Sequence, residues 1–481
     1  MKKYSIIPGS LLMLLVLLGS CEKYLDINEN PNAANEPPIS GLLANGSNLT
    51  AGNVYSVSNY VSYYTQNLAS PSVSSSTDTY QQVDPSTAWG NIYNVLTDLY
   101  DMRMFAEEKG LPAYAGVANI LTAVNLSLGS NIWGDMPYSQ AFIGVSNLTP
   151  TFDDQKGLYD TCLALIARGV AQLQNPNSDG QLDEPSDFIH NGDVDAWVKT
   201  AYALKARLLN QVSKTAQYDP AAVLAAIDNA YTSNADDAQV TQFVTRNPWA
   251  ITATSNRNLV LNNWLSSYFV NATNAVTYGV FDPRLPKIAN ATDAGIYAGV
   301  NYAAGAYRGT PNGAGYQGTR NTDHVQSYVD VDKWYSSTNS PILIITNAEM
   351  RFVEAEAAFR ANNKARAYSA YRAGITASMQ KLGVHADSIA RYLNEPAVNV
   401  GEAGLTLQLI MKEKYVATFL MPVTWDDMRR FDYNYQGFAL PANATLNTFI
   451  RRMDYPSTTI SRNGANVPSV ERTGKLWWDQ P

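Results

Sequence analysis

Hydrophobic and polar positions alternate along most of this chain with a helical period. Between residues 193 and 212, Trp197, Ala201, Leu204, Leu208 and Val212 form one stripe, Lys199, Lys205 and Arg207 lie away from it, and Asp193 stands at the N-cap position. The same spacing predicts helices over about residues 87–107, 112–128, 155–173 and 220–232. From Asn347 to Leu382 two helices follow one another across the polar break Asn362-Asn363. Met350, Val353 and Ala357 line the first, with Glu356 facing Arg360 one turn on; Tyr368, Tyr371, Ile375 and Met379 line the second. Paired antiparallel helices with small residues at their contacts resemble tetratricopeptide units, although no strict sequence repeat is present.

Two stretches depart from this pattern. At the N-terminus, Lys2 and Lys3 precede the apolar run Leu11 to Leu18, and Gly19-Ser20 lead into Cys21. That order predicts a signal peptide over residues 1–20. The apolar run is far shorter than the roughly 20 residues that span a bilayer. Leu18-Gly19-Ser20-Cys21 has the form of a bacterial lipobox, which makes Cys21 the lipidated first residue of the mature chain, attached to membrane lipid by its acyl chains. The stretch Glu22 to Ser40, rich in Asn, Pro and Glu, reads as a tether. The expected division is therefore a signal peptide (1–20), a lipidated N-terminus and tether (21–45) and one helical domain (46–481). The second aperiodic stretch is Asn301 to Thr322, NYAAGAYRGTPNGAGYQGTRNT, in which Gly and Asn supply turns and the tyrosines are what those turns display.

Composition narrows the function. Charged residues make up 16% of the chain, against about a quarter in ordinary domains, whereas aromatics reach 11% with 30 tyrosines. A net charge of −8 without a Lys/Arg run argues against nucleic acid. The second cysteine, Cys162, sits in an apolar helical pattern and reads as a small buried hydrophobe, so no disulfide framework is expected.

Catalytic constellations are weakly represented. His190, His324 and His385 lie far apart without metal-ligand spacing, and neither a nucleophile elbow nor a phosphate-cradling glycine loop is present. Asp153-Asp154, Asp236-Asp237 and Glu354 with Glu356 are paired carboxylates that fit helix capping better than acid/base chemistry. Asp330 and Asp332 alternate without an EF-hand loop, so no metal and no cofactor is expected. Asp135-Met136-Pro137-Tyr138, Asp282-Pro283-Arg284 and Asp426-Asp427 with Arg429-Arg430 predict turns and ion pairs that lock loops onto helices.

Several of these segments, taken in order, carry a resemblance. YLDINENPN (Tyr24 to Asn32), WGDMPYSQA (Trp133 to Ala141), TPTFDDQKGLY (Thr149 to Tyr159), GDVDAWVKTAYALKARL (Gly192 to Leu208), DPRLP (Asp282 to Pro286), AEMRFVEAEAAF (Ala348 to Phe359), WDDMRRF (Trp425 to Phe431) and WWD (Trp477 to Asp479) together resemble the SusD/RagB-type family of surface-exposed nutrient-binding lipoproteins of Gram-negative bacteria. The resemblance implies a fold that is mainly α, a tetratricopeptide-like helix-pair scaffold with a loop-rich ligand-binding portion. It also implies outer-membrane, cell-surface localisation, a SusC-like TonB-dependent barrel transporter as partner, and an oligosaccharide or, in some members, a peptide as ligand. The shared motifs are scaffold motifs and carry no ligand residue with them.

Ligand residues follow instead from chemistry. A sugar ring offers an apolar C–H face suited to Tyr or Trp and a hydroxyl rim suited to amides and carboxylates. Three loop clusters meet that need: Tyr63, Tyr64 and Gln66; Tyr80 with Gln81 and Gln82; and Tyr302, Tyr307, Arg308 and Tyr316, followed by Asp332, Trp334 and Tyr335. Trp89, Trp197, Trp425, Trp477 and Trp478 sit in scaffold motifs and read as packing anchors. The expected function is capture of an oligomeric nutrient, a glycan first of all, for delivery to a transporter. A membrane-anchored glycan hydrolase and a helical-repeat interaction module are the alternatives.

Overall fold

The computed structural model describes residues 37–258, 263–319 and 324–480. Cys21, the signal peptide and most of the tether lie outside the described residues. The chain is mainly helical. Its first half comprises α1 (Ile39–Tyr64), α2 (Ser86–Lys109), α3 (Pro112–Trp133), α4 (Gln155–Leu173), α5 (Val194–Gln211) and α6 (Pro220–Ile227). Two short helices, α7 (Pro248–Arg257) and α8 (Ser267–Thr273), precede α9 (Asn347–Arg360) and α10 (Lys364–Lys381). The last part holds α11 (Ala386–Asn394), α12 (Gly401–Gly404), α13 (Leu407–Ala417), α14 (Val423–Arg430) and α15 (Ser457–Asn463). Consecutive helices pack side by side, most extensively α3 on α4 and α9 on α10. Among the described residues the strands form three two-stranded antiparallel sheets: β1 (Leu68–Ala69) with β3 (Trp264–Leu265), β2 (Ala238–Val240) with β6 (Ile342–Ile345), and β4 (Gly295–Tyr297) with β5 (Val300–Tyr302).

The expected caps form. Asp193 accepts the amide of Ala196, Asp154 that of Gly157, and Thr346 that of Glu349. At the break between α9 and α10, Asn362 takes a left-handed conformation (φ 58°) and Asn363 caps α10 by accepting the amide of Arg366. Small residues stand where helices cross: a Cβ on Gly116 of α3 would lie 2.7 Å from Leu173 Cγ, and one on Gly169 of α4 would lie 3.0 Å from the Gly116 carbonyl oxygen.

Two expectations are corrected here. The helix predicted over 220–232 stops at Ile227, because Tyr231 turns fully inward and its hydroxyl hydrogen-bonds Thr200 Oγ1 at 2.8 Å. Helix α1 begins at Ile39, inside the stretch assigned to the tether, and runs to Tyr64. Its polar composition hides it: Ser47 and Thr50 are buried, and each donates its hydroxyl to the carbonyl four residues back. Asn53 is likewise buried and donates to Asn125 Oδ1 at 2.8 Å.

Buried ion pairs fasten the loops to the scaffold, as the Asp/Arg motifs predict. Arg284, fully buried, is gripped by Asp282 of its own turn and by Glu413 of α13. Glu413 also accepts from Lys412 Nζ at 2.6 Å and from the Tyr392 hydroxyl at 2.7 Å. Burial alone raises the carboxyl pKa, and the adjacent Lys412 and Arg284 cations overcome that and hold Glu413 down at about 2, against an ordinary 4.5. A depressed carboxylate contributes stability above its unfolded pKa and loses it as pH falls toward its folded one. The stability gap between the wild type and Glu413→Gln, measured by urea unfolding, is therefore expected to be full above pH 4.5 and to shrink as pH falls from there toward about 2.

Candidate functional site

Residues 65–84, 263–319, 324–340 and 432–450 form the loop-rich portion, and Asp78 ties its pieces together. This carboxylate is fully buried and accepts amide hydrogens from Ser70 at 3.2 Å and Gly313 at 2.6 Å, together with the side-chain amide of Asn312. Burial outweighs these hydrogen bonds and pushes its pKa up to about 6. Asn312 in turn donates to the Leu68 carbonyl at 3.0 Å, and the Ala442 amide donates to the Asn312 carbonyl at 2.8 Å. Three loops distant in sequence thereby share one hub.

Above this hub lies an open hollow of about 250 Å³, lined by Gln66, Asn271, Thr277, Pro311, Leu440 and their neighbours. Gln66, in a left-handed conformation (φ 51°), donates its side-chain amide to the Ala439 carbonyl at 2.6 Å, which fastens the 437–442 loop over the hollow. One wall continues into the β4–β5 hairpin: Ser267 donates its amide to the Thr310 carbonyl, and Tyr297 of β4 donates its hydroxyl to the adjoining Gly309 carbonyl at 3.0 Å. The hairpin turns at Ala298 and Gly299, both with positive φ, the backbone that a two-residue hairpin loop requires. Its register pairs Gly295 with Tyr302 and Tyr297 with Val300. Ile296, Val300 and Tyr302 stand exposed on it. The opposite wall continues through Asn274, whose side-chain amide donates to the Tyr307 carbonyl at 3.2 Å, to the pair Phe281 and Tyr307 with ring centroids 6.2 Å apart.

Arg308 is the charged element of this surface. Its guanidinium lies 4.6 Å from the Tyr302 ring centroid, its Nε donates to the Val325 carbonyl at 3.2 Å and its Nη2 to the Asp293 carbonyl at 3.2 Å. Among the described residues its Nη1 has no acceptor. Burial draws the Arg308 pKa below its ordinary value, with the neighbouring Tyr302 and Tyr297 phenols opposing the shift.

Of the expected ligand residues in this region, Tyr302 is exposed and Tyr307 half-buried, whereas Arg308 and Gln66 are buried behind them, at 8% and 6% accessibility. Tyr316 is half-buried, with its ring edge-on to Trp264 at 5.7 Å. Tyr64, Tyr80 and Tyr335, expected on loops, present no face to solvent. Tyr64 ends α1 inside the core, packed against Tyr80 at 5.8 Å and Trp425 at 5.3 Å, and Tyr335 packs on Phe419 at 5.3 Å. Tyr63 donates its hydroxyl to Asn263 Oδ1 within the core. Asp332, exposed, and Trp334, half-buried and edge-on to Tyr335 at 4.8 Å, belong to a separate turn held through Asn247, whose amide donates to the Thr338 carbonyl at 2.8 Å. The α1 stripe Val54, Val57, Val61, Tyr64 was the available signal that Tyr64 is core. Tyr297, Phe281 and Asn271 were not anticipated. GIY-AG-VNY, residues 295–302, carries a hairpin signature that a loop beginning at Asn301 cuts in two.

The remaining motifs serve the scaffold. Asp153 accepts the amides of Tyr138 and Ser139, Asp237 that of Asn347, and Glu354 pairs with Arg351 and Arg366. Trp197, Trp425 and Trp478 are fully buried, and Arg429 stacks between the last two, 3.8 Å from one ring and 4.8 Å from the other.

The chain is thus a helix-pair scaffold carrying a loop-rich portion with exposed rings. A family profile described as SusD-like, "Starch-binding associating with outer membrane", matches residues 31–456, and the chain belongs to this family. No curated protein matches it in sequence. Among solved structures it is similar to a SusD/RagB family protein from Bacteroides thetaiotaomicron, at 21% identity and TM-score 0.71 over 92% of this chain and 99% of that one. A chitin-binding SusD homologue from Flavobacterium johnsoniae matches at 21% identity and TM-score 0.72 over 92% and 98% of the two chains. At such identities these likenesses establish the fold.

Proposed function

We propose that the protein binds an oligosaccharide on the hairpin-and-hollow surface, is held at the outer membrane by lipid on Cys21, and passes its ligand to a SusC-like TonB-dependent barrel transporter. The family description and the chitin-binding relative support a glycan over a peptide. The observation that carries the placement is the exposed Tyr302 ring backed by the Arg308 guanidinium beside a hollow walled by amide and apolar side chains. A sugar's C–H face suits the ring and its hydroxyls suit the half-buried Asn271 amide in the wall of the hollow. Tyr307 and Phe281 extend the platform for further units of a chain. The segment 21–38 serves as lipidated tether, and the body that follows acts as one binding unit.

The action is binding, not turnover, and the adjacent carboxylates are engaged in caps and ion pairs. Because captured ligand must leave toward the barrel, micromolar affinity, about −8 kcal/mol, suits the task. Tyr302→Ala is expected to weaken binding of chitooligosaccharides or maltooligosaccharides, whichever the wild type takes up in calorimetry, by roughly three- to tenfold, the worth of one stacking contact. Unchanged affinity in Tyr302→Ala and in the Tyr302→Ala/Tyr307→Ala double variant would remove the site from this surface.

A further inference from the structure

A second hollow, of about 280 Å³, opens on the helical scaffold between the first turns of α2, the 137–150 loop and α15. Its floor is apolar: half-buried Tyr93 and the small accessible part of Trp89, a core ring packed on Trp133, Phe152 and Tyr455 and only 7% accessible, their ring centroids 5.0 Å apart, with Pro137 and Pro150. Thr458, Thr459 and Ser86 place hydroxyls around it. The only charged side chain in the lining is Arg462, which is exposed and has no hydrogen-bond or ion-pair partner among the described residues. The carboxylates nearby are already engaged. Asp84 accepts from Ser86 Oγ at 2.7 Å and Ser457 Oγ at 2.6 Å, and Asp153 accepts two amides and the Ser139 hydroxyl.

Gly90 is the least expected residue of the lining. Glycine is unfavourable inside a helix, and here no packing demands it, since a Cβ at this position would meet nothing within 4 Å. What its missing side chain leaves is the space of the hollow itself. The volume falls just below the roughly 300–1,000 Å³ of pockets that bury a drug-sized ligand, which suits one sugar unit rather than a chain. An aromatic floor, a hydroxyl rim and one unpaired guanidinium are together the complement of a sugar that carries a carboxylate.

We infer that this hollow is a separate subsite for a single hexuronate unit, with the carboxylate on Arg462 and the ring against half-buried Tyr93 and the accessible part of Trp89. The inference rests on the reading of the protein as a glycan binder, but uses none of the hairpin residues. It is tested by saturation-transfer NMR on the full mature chain with methyl β-D-glucuronide, and with methyl β-D-glucoside as the uncharged counterpart. The glucuronide signal is expected to drop several-fold in Arg462→Gln and in Gly90→Leu, which starts a side chain into the hollow at a position where a Cβ meets nothing within 4 Å, and to persist in Tyr302→Ala. The glucoside signal is expected to be several-fold weaker than that of the glucuronide. Circular-dichroism melts of Gly90→Leu at or above the wild-type midpoint establish that the variant is folded.

A glucuronide signal indifferent to both Arg462→Gln and Gly90→Leu, lost in Tyr302→Ala, matched by the glucoside, or absent altogether overturns the inference. The two readings fail separately. Oligosaccharide binding that depends on Tyr302 in a protein blind to glucuronide sinks only the subsite. Glucuronide binding that depends on Gly90 in a protein indifferent to Tyr302→Ala sinks only the hairpin surface.

Discussion

Replacing Glu356 by alanine is expected to lower the unfolding free energy by about 3–5 kcal/mol, the cost of leaving a buried charge without its partner. Glu356 of α9 is completely buried and accepts from Arg430 Nη1 and Nη2, both at 2.5 Å, from Arg360 Nε at 3.0 Å and from Asn210 Nδ2 at 2.9 Å. Burial, the largest single influence, would raise its carboxyl pKa, but the charge and hydrogen bonds of Arg430 together with the Arg360 and Lys414 cations outweigh it and hold the group well below the ordinary range. Through Arg430, which also pairs with Asp427 at 2.7 Å, it joins α9 to α14, and through Asn210 it joins α9 to α5. Removal leaves Arg430 buried with one carboxylate where it had two, and strips Asn210 of an acceptor. The check is the denaturation midpoint of Glu356→Ala beside that of Arg351→Ala, a partly exposed ion pair on the same helix expected to cost about 1 kcal/mol or less. Equal midpoints for the two variants would show that the network carries no particular weight.

Cys21→Ser is expected to move the protein from the membrane fraction to the aqueous fraction in cell fractionation. Among the described residues no helix is long and apolar enough to cross a membrane. Attachment in the proposed arrangement then resides in acyl chains on one thiol. Each buried methylene contributes about 0.8 kcal/mol, and stable anchoring takes more than one chain, as a multiply acylated cysteine supplies. The variant loses all of them at once, whereas the helical body, whose first helix among the described residues starts at Ile39, is untouched. Retention of Cys21→Ser in the membrane fraction after a high-salt wash would place the attachment elsewhere.

Much of the scaffold was legible because its physics is local. Asp193 before the Trp197 stripe, Asn362-Asn363 between two apolar faces, and the Asp–Arg contacts within 282–284 and 426–430 are local, so period and capping chemistry expose them, whereas the long-range halves of the same networks, Arg284 to Glu413 and Arg430 to Glu356, are not visible from spacing. Helix α1 was not legible in the same way. Its inward positions include Gly46, Ser47, Thr50 and Asn53, which look polar or flexible in isolation and become core residues only because neighbouring backbone carbonyls and Asn125 satisfy them. That one omission carried Tyr63 and Tyr64 into the candidate site.

The loops divide for a similar reason. Tyr302 and Tyr335 are chemically identical rings on aromatic-rich segments, yet one is exposed over Arg308 and the other is packed on Phe419. Nothing within several residues of either distinguishes them. The difference is made by partners more than 80 positions away along the chain for Tyr335, and by a hairpin turn that holds Tyr302 away from the core.

By itself the amino-acid sequence determined the helix-pair class, the main caps and the short-range Asp–Arg pairs, since these depend on spacing within a turn or two. Only the tertiary structure decided which rings face outward, that Asp78 joins three loops into one hub, and where hollows remain open. Those outcomes depend on long-range packing, in which the same tyrosine becomes core or surface according to what happens to fold against it.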